Sequence, residues 1–240
     1  KTFADFFLKQ EALVIVCSRR NTFNKKIYTN NKNFFYYKLD LKKIEKITSF
    51  IKKISIKFKK IDILINNAGH NLNVTDPYCK KKDWDQVMDI NFYNSIETCN
   101  LLIPQMKKNK WGRIINITSC AGLENMGPVT YGVAKAALTA YTRTMGRILA
   151  TEAKDVVMTA IFPGVVVTKG GHWDKVLKKN PARAKKYLKD RTPLGRFGKP
   201  NEIAPVVAFY CSEFASFSHG AIIPVDAGQS RHYMYFNYLN

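Results

Sequence analysis

Tyr131 and Lys135 stand four residues apart in the segment Tyr131-Gly132-Val133-Ala134-Lys135, early in a helical stretch that runs from Val129 to Lys154. One turn of helix stacks such a pair on a shared face. A phenol is a poor acid or base near neutrality because its ordinary pKa is ~10, but a nearby ammonium favours the phenolate and brings that value down. Lys135 is spaced to supply that field. Upstream, Ser119 follows the apolar run Gly112 to Thr118, and a hydroxyl at a strand end can hydrogen-bond an oxygen whose charge grows during reaction. The three side chains describe proton transfer to or from a carbonyl or a secondary alcohol. A Tyr–Lys pair at i and i+4 is, however, most often just helix surface, so the pair alone decides nothing.

Positioning these groups requires a scaffold, and the apolar pattern supplies one. Ala12 to Ser18, Asn33 to Leu39, Ile61 to Asn66, Gly112 to Thr118, Val156 to Phe162 and Ala221 to Val225 are short, β-rich runs. Several are apolar on both faces, which marks parallel strands covered by helices on each side. Between them Leu41, Ile44, Ile47, Ile51, Ile54 and Phe58 recur at steps of three and four, forming one helical stripe with lysines facing water. Asp83 to Lys108 and Val129 to Lys154 predict two long helices. The alternation predicts an α/β fold of Rossmann type: a doubly wound parallel sheet in three layers, with ligands at the carboxyl ends of the strands. A chain of 240 residues suits one such domain.

The bulk properties exclude more than they assign. Cysteines at 17, 79, 99, 120 and 211 show no metal-ligand or redox spacing, so no metal site and no disulfide framework is expected. Free thiols suit a reducing cytoplasm, and no apolar run reaches the ~18 residues of a membrane span. The chain is therefore expected to be cytoplasmic, with no membrane partner. The net charge is +21, from 39 Lys and Arg against 18 Asp and Glu. Lys, Asn, Ile, Phe and Tyr are abundant together, as a biased genome would impose, and no nucleic-acid motif accompanies the charge. No nucleic-acid partner is expected.

Other segments give the Tyr131–Lys135 pair its company. Asn66-Asn67-Ala68-Gly69 follows the third apolar run, Asn91 stands in Asp89-Ile90-Asn91, and Pro163-Gly164 precedes Thr168. Pro193-Leu194-Gly195-Arg196, Pro200-Asn201-Glu202-Ile203-Ala204 and Val225-Asp226-Ala227-Gly228 follow in order. Together these resemble the short-chain dehydrogenase/reductases, in the group that includes the beta-ketoacyl-acyl-carrier-protein reductases, over residues 1 to about 228. The resemblance implies that Tyr131 gives or takes the proton and that Ser119 orients the carbonyl or alcohol. It implies that Lys135 holds the nicotinamide ribose and lowers the Tyr131 pKa, while Asn91 keeps a water relay to Lys135. Asp40 would contact adenine, and Asn67, Ala68, Gly69, Val166 and Thr168 would lie along the dinucleotide. An NAD enzyme usually ends the second strand of this fold with an acidic residue, whereas this chain has Ser18-Arg19-Arg20 and no acid until Asp40. Guanidinium groups suit a 2'-phosphate, so NADP is expected rather than NAD.

The family pattern opens with a strand and a TGxxxGxG loop that cradles pyrophosphate. Here Lys1 to Leu8 reads as the helix after that loop, so the expectation is a chain whose first strand and glycine-rich loop are missing from the given sequence. A native protein without them would be a non-catalytic dinucleotide-binding or scaffold homologue. Asn21 to Lys32 reads as loop where the family has a longer helix.

Lys169 to Arg191, the family's mobile lid, holds nine Lys or Arg in 23 residues, but the remote segment Leu41 to Lys60 holds eight lysines in 20. The lid charge is thus mostly background. His70, Asn71, Glu124 and Asn125, with His172 and Trp173 on the lid, are the expected substrate-side residues, although His70 also reads as a histidine satisfied by backbone. Their polarity leans toward a sugar- or polyol-derived small molecule, with a 3-oxoacyl-acyl-carrier-protein as the alternative. Residues 229–240 form an aromatic tail with Tyr233, Tyr235, Phe236 and Tyr238, expected at a subunit interface of a homotetramer or dimer.

Overall fold

A computed structural model describes residues 1–19, 28, 31–124 and 126–231. Its elements follow the chain as α1 (Thr2–Lys9), β1 (Val14–Ser18), β2 (Phe34–Lys38), α2 (Ile44–Phe58) and β3 (Ile63–Asn66). Next come α3 (Lys81–Met88), a π-helical turn (Asp89–Tyr93), α4 (Asn94–Lys108), β4 (Gly112–Ile117) and α5 (Val129–Glu152). The rest is β5 (Val156–Pro163), α6 (His172–Lys179), α7 (Pro181–Arg191), α8 (Pro200–Tyr210) and β6 (Ile222–Val225). All strand pairs are parallel.

Alternation along the strands separates two helical layers. On β4, Ile114 faces a core built with Ile47, Ile51 and Ile54 of α2, Cys99, Leu102 and Met106 of α4, and Leu149 of α5. Its neighbours Ile115 and Ile117 face the opposite layer, where Ile203 and Val207 of α8 pack with Phe3 and Phe7 of α1. The β4 and β5 side chains are buried almost throughout, as expected of strands covered on both faces. The three-layer α/β architecture is the one the sequence pattern predicts.

The strands form two ladders, β1–β2 and β3–β4–β5–β6. Among the described residues no strand joins β1 to β3. Ile15 of β1, Tyr37 of β2 and Leu64 of β3 nevertheless pack against the same α2–α4 core. The helices on that face hold both ladders in one sandwich. Residues 20–27, 29 and 30, and with them most of the loop expected over 21–32, lie outside the described residues.

Candidate active site

Ser119 leaves β4 in extended conformation and starts a tight turn, Cys120–Gly122, with its Oγ accepting the Ala121 N–H at 3.2 Å. The turn lies directly on α5. A Cβ at Gly122 would come within 2.7 Å of the Lys135 carbonyl carbon, so glycine is what permits this approach. That contact seats α5 beneath the turn, and the Ser119 hydroxyl is near enough to the Tyr131 phenol to act on its pKa.

Lys135 is buried, and its Nζ donates to the Ile117 carbonyl at 2.8 Å while lying 5.9 Å from the Tyr131 ring centroid. Burial lowers its pKa to about 8. Burial also raises the Tyr131 pKa; the nearby Ser119 hydroxyl opposes that rise and the Cys120 thiol adds to it. The spacing argument has the ammonium drawing the phenol down. Here Lys135 is not among the groups that shift the phenol, and the phenol's own burial is the dominant influence.

Asn91 sits inside the π-helical turn, an irregularity that often marks functional positions. Its side chain is pinned to backbone: Oδ1 accepts from His70 N–H at 3.0 Å, and Nδ2 donates to the His70 and Val87 carbonyls at 2.9 and 2.8 Å. Gly69 lies where these groups converge. A Cβ there would stand 2.8 Å from Asn91 Oδ1 and 2.9 Å from Lys135 Nζ. Beneath them, Asn66 Nδ2 donates to Asn116 Oδ1, Asn116 Nδ2 donates to Thr142, and Thr98 donates to Asn66 Oδ1, each at 2.9 Å. This buried network couples the ends of β3 and β4 to α4 and α5.

The other anticipated residues divide by location. Asn67 and Gly69 are exposed and Ala68 is partly so, on the loop leaving β3. Val166 bridges Gly198, and Thr168 is exposed, its carbonyl accepting from Gly171. Ser18 Oγ lies 2.7 Å from Tyr36 Oη, Arg19 is exposed, and Asp40 Oδ1 accepts from Lys42 N–H. His70 Nδ1 accepts from Leu72 N–H at 2.7 Å, and Asn71 Oδ1 accepts from Asn73 N–H, so both are engaged by their own loop. Glu124 accepts from Arg231 N–H. His172 lies edge-on to Trp173, which packs on Tyr187 of α7 and on Phe197. Arg20, Asn125 and 232–240 of the aromatic tail lie outside the described residues.

Cys120, beside Ser119, is held by the Pro163 carbonyl at 3.3 Å, and burial pushes its thiol up to about 12, so it is no thiolate near neutrality. Among the described residues no cluster of His, Cys, Asp and Glu could hold a metal, and no helix is long and apolar enough to cross a membrane. Three residues that sequence reasoning did not single out, Met126, Tyr187 and Gln229, meet between α7 and the turn after Ser119. Nothing in their spacing announces it.

Lys135 tests the fit of a dinucleotide. Among the described residues its buried ammonium has one acceptor, the Ile117 carbonyl, which leaves donors suited to ribose hydroxyls. The glycine beside it keeps the approach open.

Comparison with known proteins gives consistent results. A family model described as enoyl-(acyl carrier protein) reductase matches residues 1–230. The 3-oxoacyl-[acyl-carrier-protein] reductase of Thermotoga maritima is 32% identical over 193 residues, covering 80% of this chain and 75% of that protein. Among solved structures, the Cj0485 dehydrogenase is 28% identical with TM-score 0.86, covering 98% and 90%. The L-sorbose reductase of Gluconobacter frateurii, complexed with NADPH and L-sorbose, is 23% identical with TM-score 0.86, covering 98% and 92%.

Proposed function

The chain belongs to the short-chain dehydrogenase/reductase family of NAD(P)-dependent oxidoreductases, and on that premise we propose that it interconverts a carbonyl and a secondary alcohol using NADP(H), with Tyr131 as the proton donor. The observation that carries this reading is the buried Lys135 ammonium, its Nζ 5.9 Å from the Tyr131 ring centroid, with Ser119 at the strand end acting on the same phenol.

When bound, the nicotinamide supplies the hydride. Ser119 Oγ hydrogen-bonds the substrate oxygen, and the Tyr131 phenol passes its proton to that oxygen as negative charge builds there. Burial keeps Tyr131 protonated until the substrate needs the proton. Lys135 holds the nicotinamide ribose hydroxyls with the donors that Ile117 leaves free. Asn91, fixed to the His70 backbone, holds the water through which the proton on Lys135 is replaced. Arg19 would hold the 2'-phosphate, with Arg20 assigned to it from the sequence alone; Ser18 and Asp40 would serve the adenosine, and Asn67, Ala68, Gly69, Val166 and Thr168 the rest of the dinucleotide.

Tyr131→Phe removes only a hydroxyl. It should lower NADPH-dependent turnover by roughly 10³-fold or more while NADPH binding, read by fluorescence titration, stays within a few-fold. Activity near that of the unmodified chain would sink the assignment.

Two substrate classes follow. The relative at 32% identity carries the name of a 3-oxoacyl-[acyl-carrier-protein] reductase, which favours a 3-oxoacyl thioester. A sugar-derived ketone is the second reading, resting on Glu124, His172 and Trp173 around the lid, although His70 and Asn71 are engaged elsewhere. Comparing NADPH oxidation with an acetoacetyl thioester and with L-sorbose separates them. Assembly as a homodimer or homotetramer belongs to the same reading. It is supported by exposed Val129 and Val133, one turn apart on α5, by exposed Tyr93 on the adjoining π-helical turn, and by Phe209, Phe214 and Phe217 around the end of α8.

A further inference from the structure

Gln229, four residues past β6, is only 5% exposed. Its Oε1 accepts the Val165 N–H at 2.9 Å. A backbone amide only donates, so this bond fixes which way the side-chain amide points. Nε2 must face the other way, where it meets Tyr187 Oη at 2.7 Å and Met126 Sδ at 3.7 Å. Nε2 also only donates, so the Tyr187 oxygen accepts and its own phenolic proton remains unspent. No acceptor among the described residues takes it.

The surroundings hold that phenol in place. Tyr187 is half-buried on α7 with its ring 4.3 Å from that of Trp173, which packs in turn on Phe197 at 4.9 Å. The phenol is within electrostatic reach of the Cys120 thiol, the neighbour of Ser119. The chain around Gln229 is stitched down as well: Asp226 accepts from the Gly228 and Ser230 N–H groups, and Glu124 from Arg231 N–H. The lid, the segment after β5 and the turn after Ser119 therefore converge on one amide.

We propose that Gln229 and Tyr187 form a specificity-determining pair: Gln229 positions Tyr187, and Tyr187 donates a hydrogen bond to a second oxygen on the substrate, near the carbonyl reduced at Tyr131. The pair selects ketones that carry such an oxygen, as a 3-oxo ester, a 3-oxo thioester or a hydroxyketone does, over plain ketones. A sheltered donor left unpaired penalises the substrate that lacks the acceptor. Gln229 acts through Tyr187. This inference rests on the reading of Tyr131 as proton donor.

The test reads binding without turnover. The chain saturated with NADP+ is titrated with ethyl acetoacetate and with 2-hexanone, following Trp173 emission, with the Trp173→Phe variant supplying the background from Trp84 and Trp111. Ethyl acetoacetate should bind about tenfold more tightly than 2-hexanone. Tyr187→Phe and Gln229→Leu should each reduce that preference to about twofold or less, and the double variant should reduce it no further. Equal binding of the two ketones to the unmodified chain overturns the proposal, and so does a preference that survives Tyr187→Phe. If Gln229→Leu fails to fold, Tyr187→Phe decides alone. Turnover by the Tyr131→Phe variant would remove the assignment of the proton donor and leave these binding ratios unaffected, so the two failures are distinguishable.

Discussion

Complete burial of the Lys135 ammonium lowers its pKa from 10.5 to about 8, and that shift has a consequence for stability. Between those values the unfolded chain binds a proton that the folded chain does not, so the folded state gains stability as pH rises through the window. Below about 8 both states are protonated, and the full cost of burying the charge is present. Lys135→Met removes the group. The stability difference between unmodified chain and variant should move in favour of the unmodified chain by up to roughly 3 kcal/mol from pH 7.5 to 10.5. Urea unfolding at several pH values reads this directly, and a difference that stays flat would mean that the lysine is not desolvated in solution. Gly69 offers a second test at this scale. The Cβ of Gly69→Ala meets Asn91, which is pinned by three hydrogen bonds, so Lys135 must shift instead. Turnover should fall on the order of 10²-fold with little change in melting temperature; a kcat within twofold of the unmodified chain would show that the Lys135 position is not critical.

The strands and the long helices were legible in the sequence because burial imposes a period, and β4 shows it clearly: Ile114 faces one layer while Ile115 and Ile117 face the other. The helix expected over Asp83 to Lys108 is present, but its π-helical turn at Asp89–Tyr93 was not legible, since one wider turn scarcely disturbs an apolar stripe. That Ser119 at the end of β4 and Tyr131 and Lys135 at the start of α5 come together was legible because the two elements are joined by a short turn, while the roles proposed for them came from the family resemblance. Gln229 was not, because its partners Val165 and Tyr187 are 64 and 42 residues away. Nor was the role of Asn116, a polar residue inside an otherwise apolar strand, whose hydrogen bonds run to Asn66 and Thr142 across 50 and 26 residues. Asn116→Ala leaves both partners without that bond in a buried setting. It should cost about 2–4 kcal/mol in urea unfolding and reduce turnover, because α5 loses the tie that seats Tyr131 under Ser119. A loss below about 0.5 kcal/mol would mean that the network relaxes without Asn116.

For the whole molecule, assembly and charge oppose each other. The exposed Val129, Val133 and Tyr93 favour a contact between copies, yet each copy carries a net charge of +21. Like charges spread over approaching surfaces repel over a Debye length, ~30 Å at 0.01 M salt and ~8 Å at 0.15 M. Added salt shortens that reach and leaves the apolar contact intact. The proposed homo-oligomer should therefore tighten as salt rises, the reverse of an assembly held by ion pairs. Sedimentation at low micromolar chain concentration should show a larger oligomeric fraction in 0.5 M sodium chloride than in 0.02 M. Val133→Lys adds a charge to the apolar strip on α5 without entering the core, and it should shift the distribution toward monomer by about tenfold in dissociation constant. Dissociation on adding salt would place the contact on charged groups, and an unchanged distribution in Val133→Lys would move it away from this face of α5.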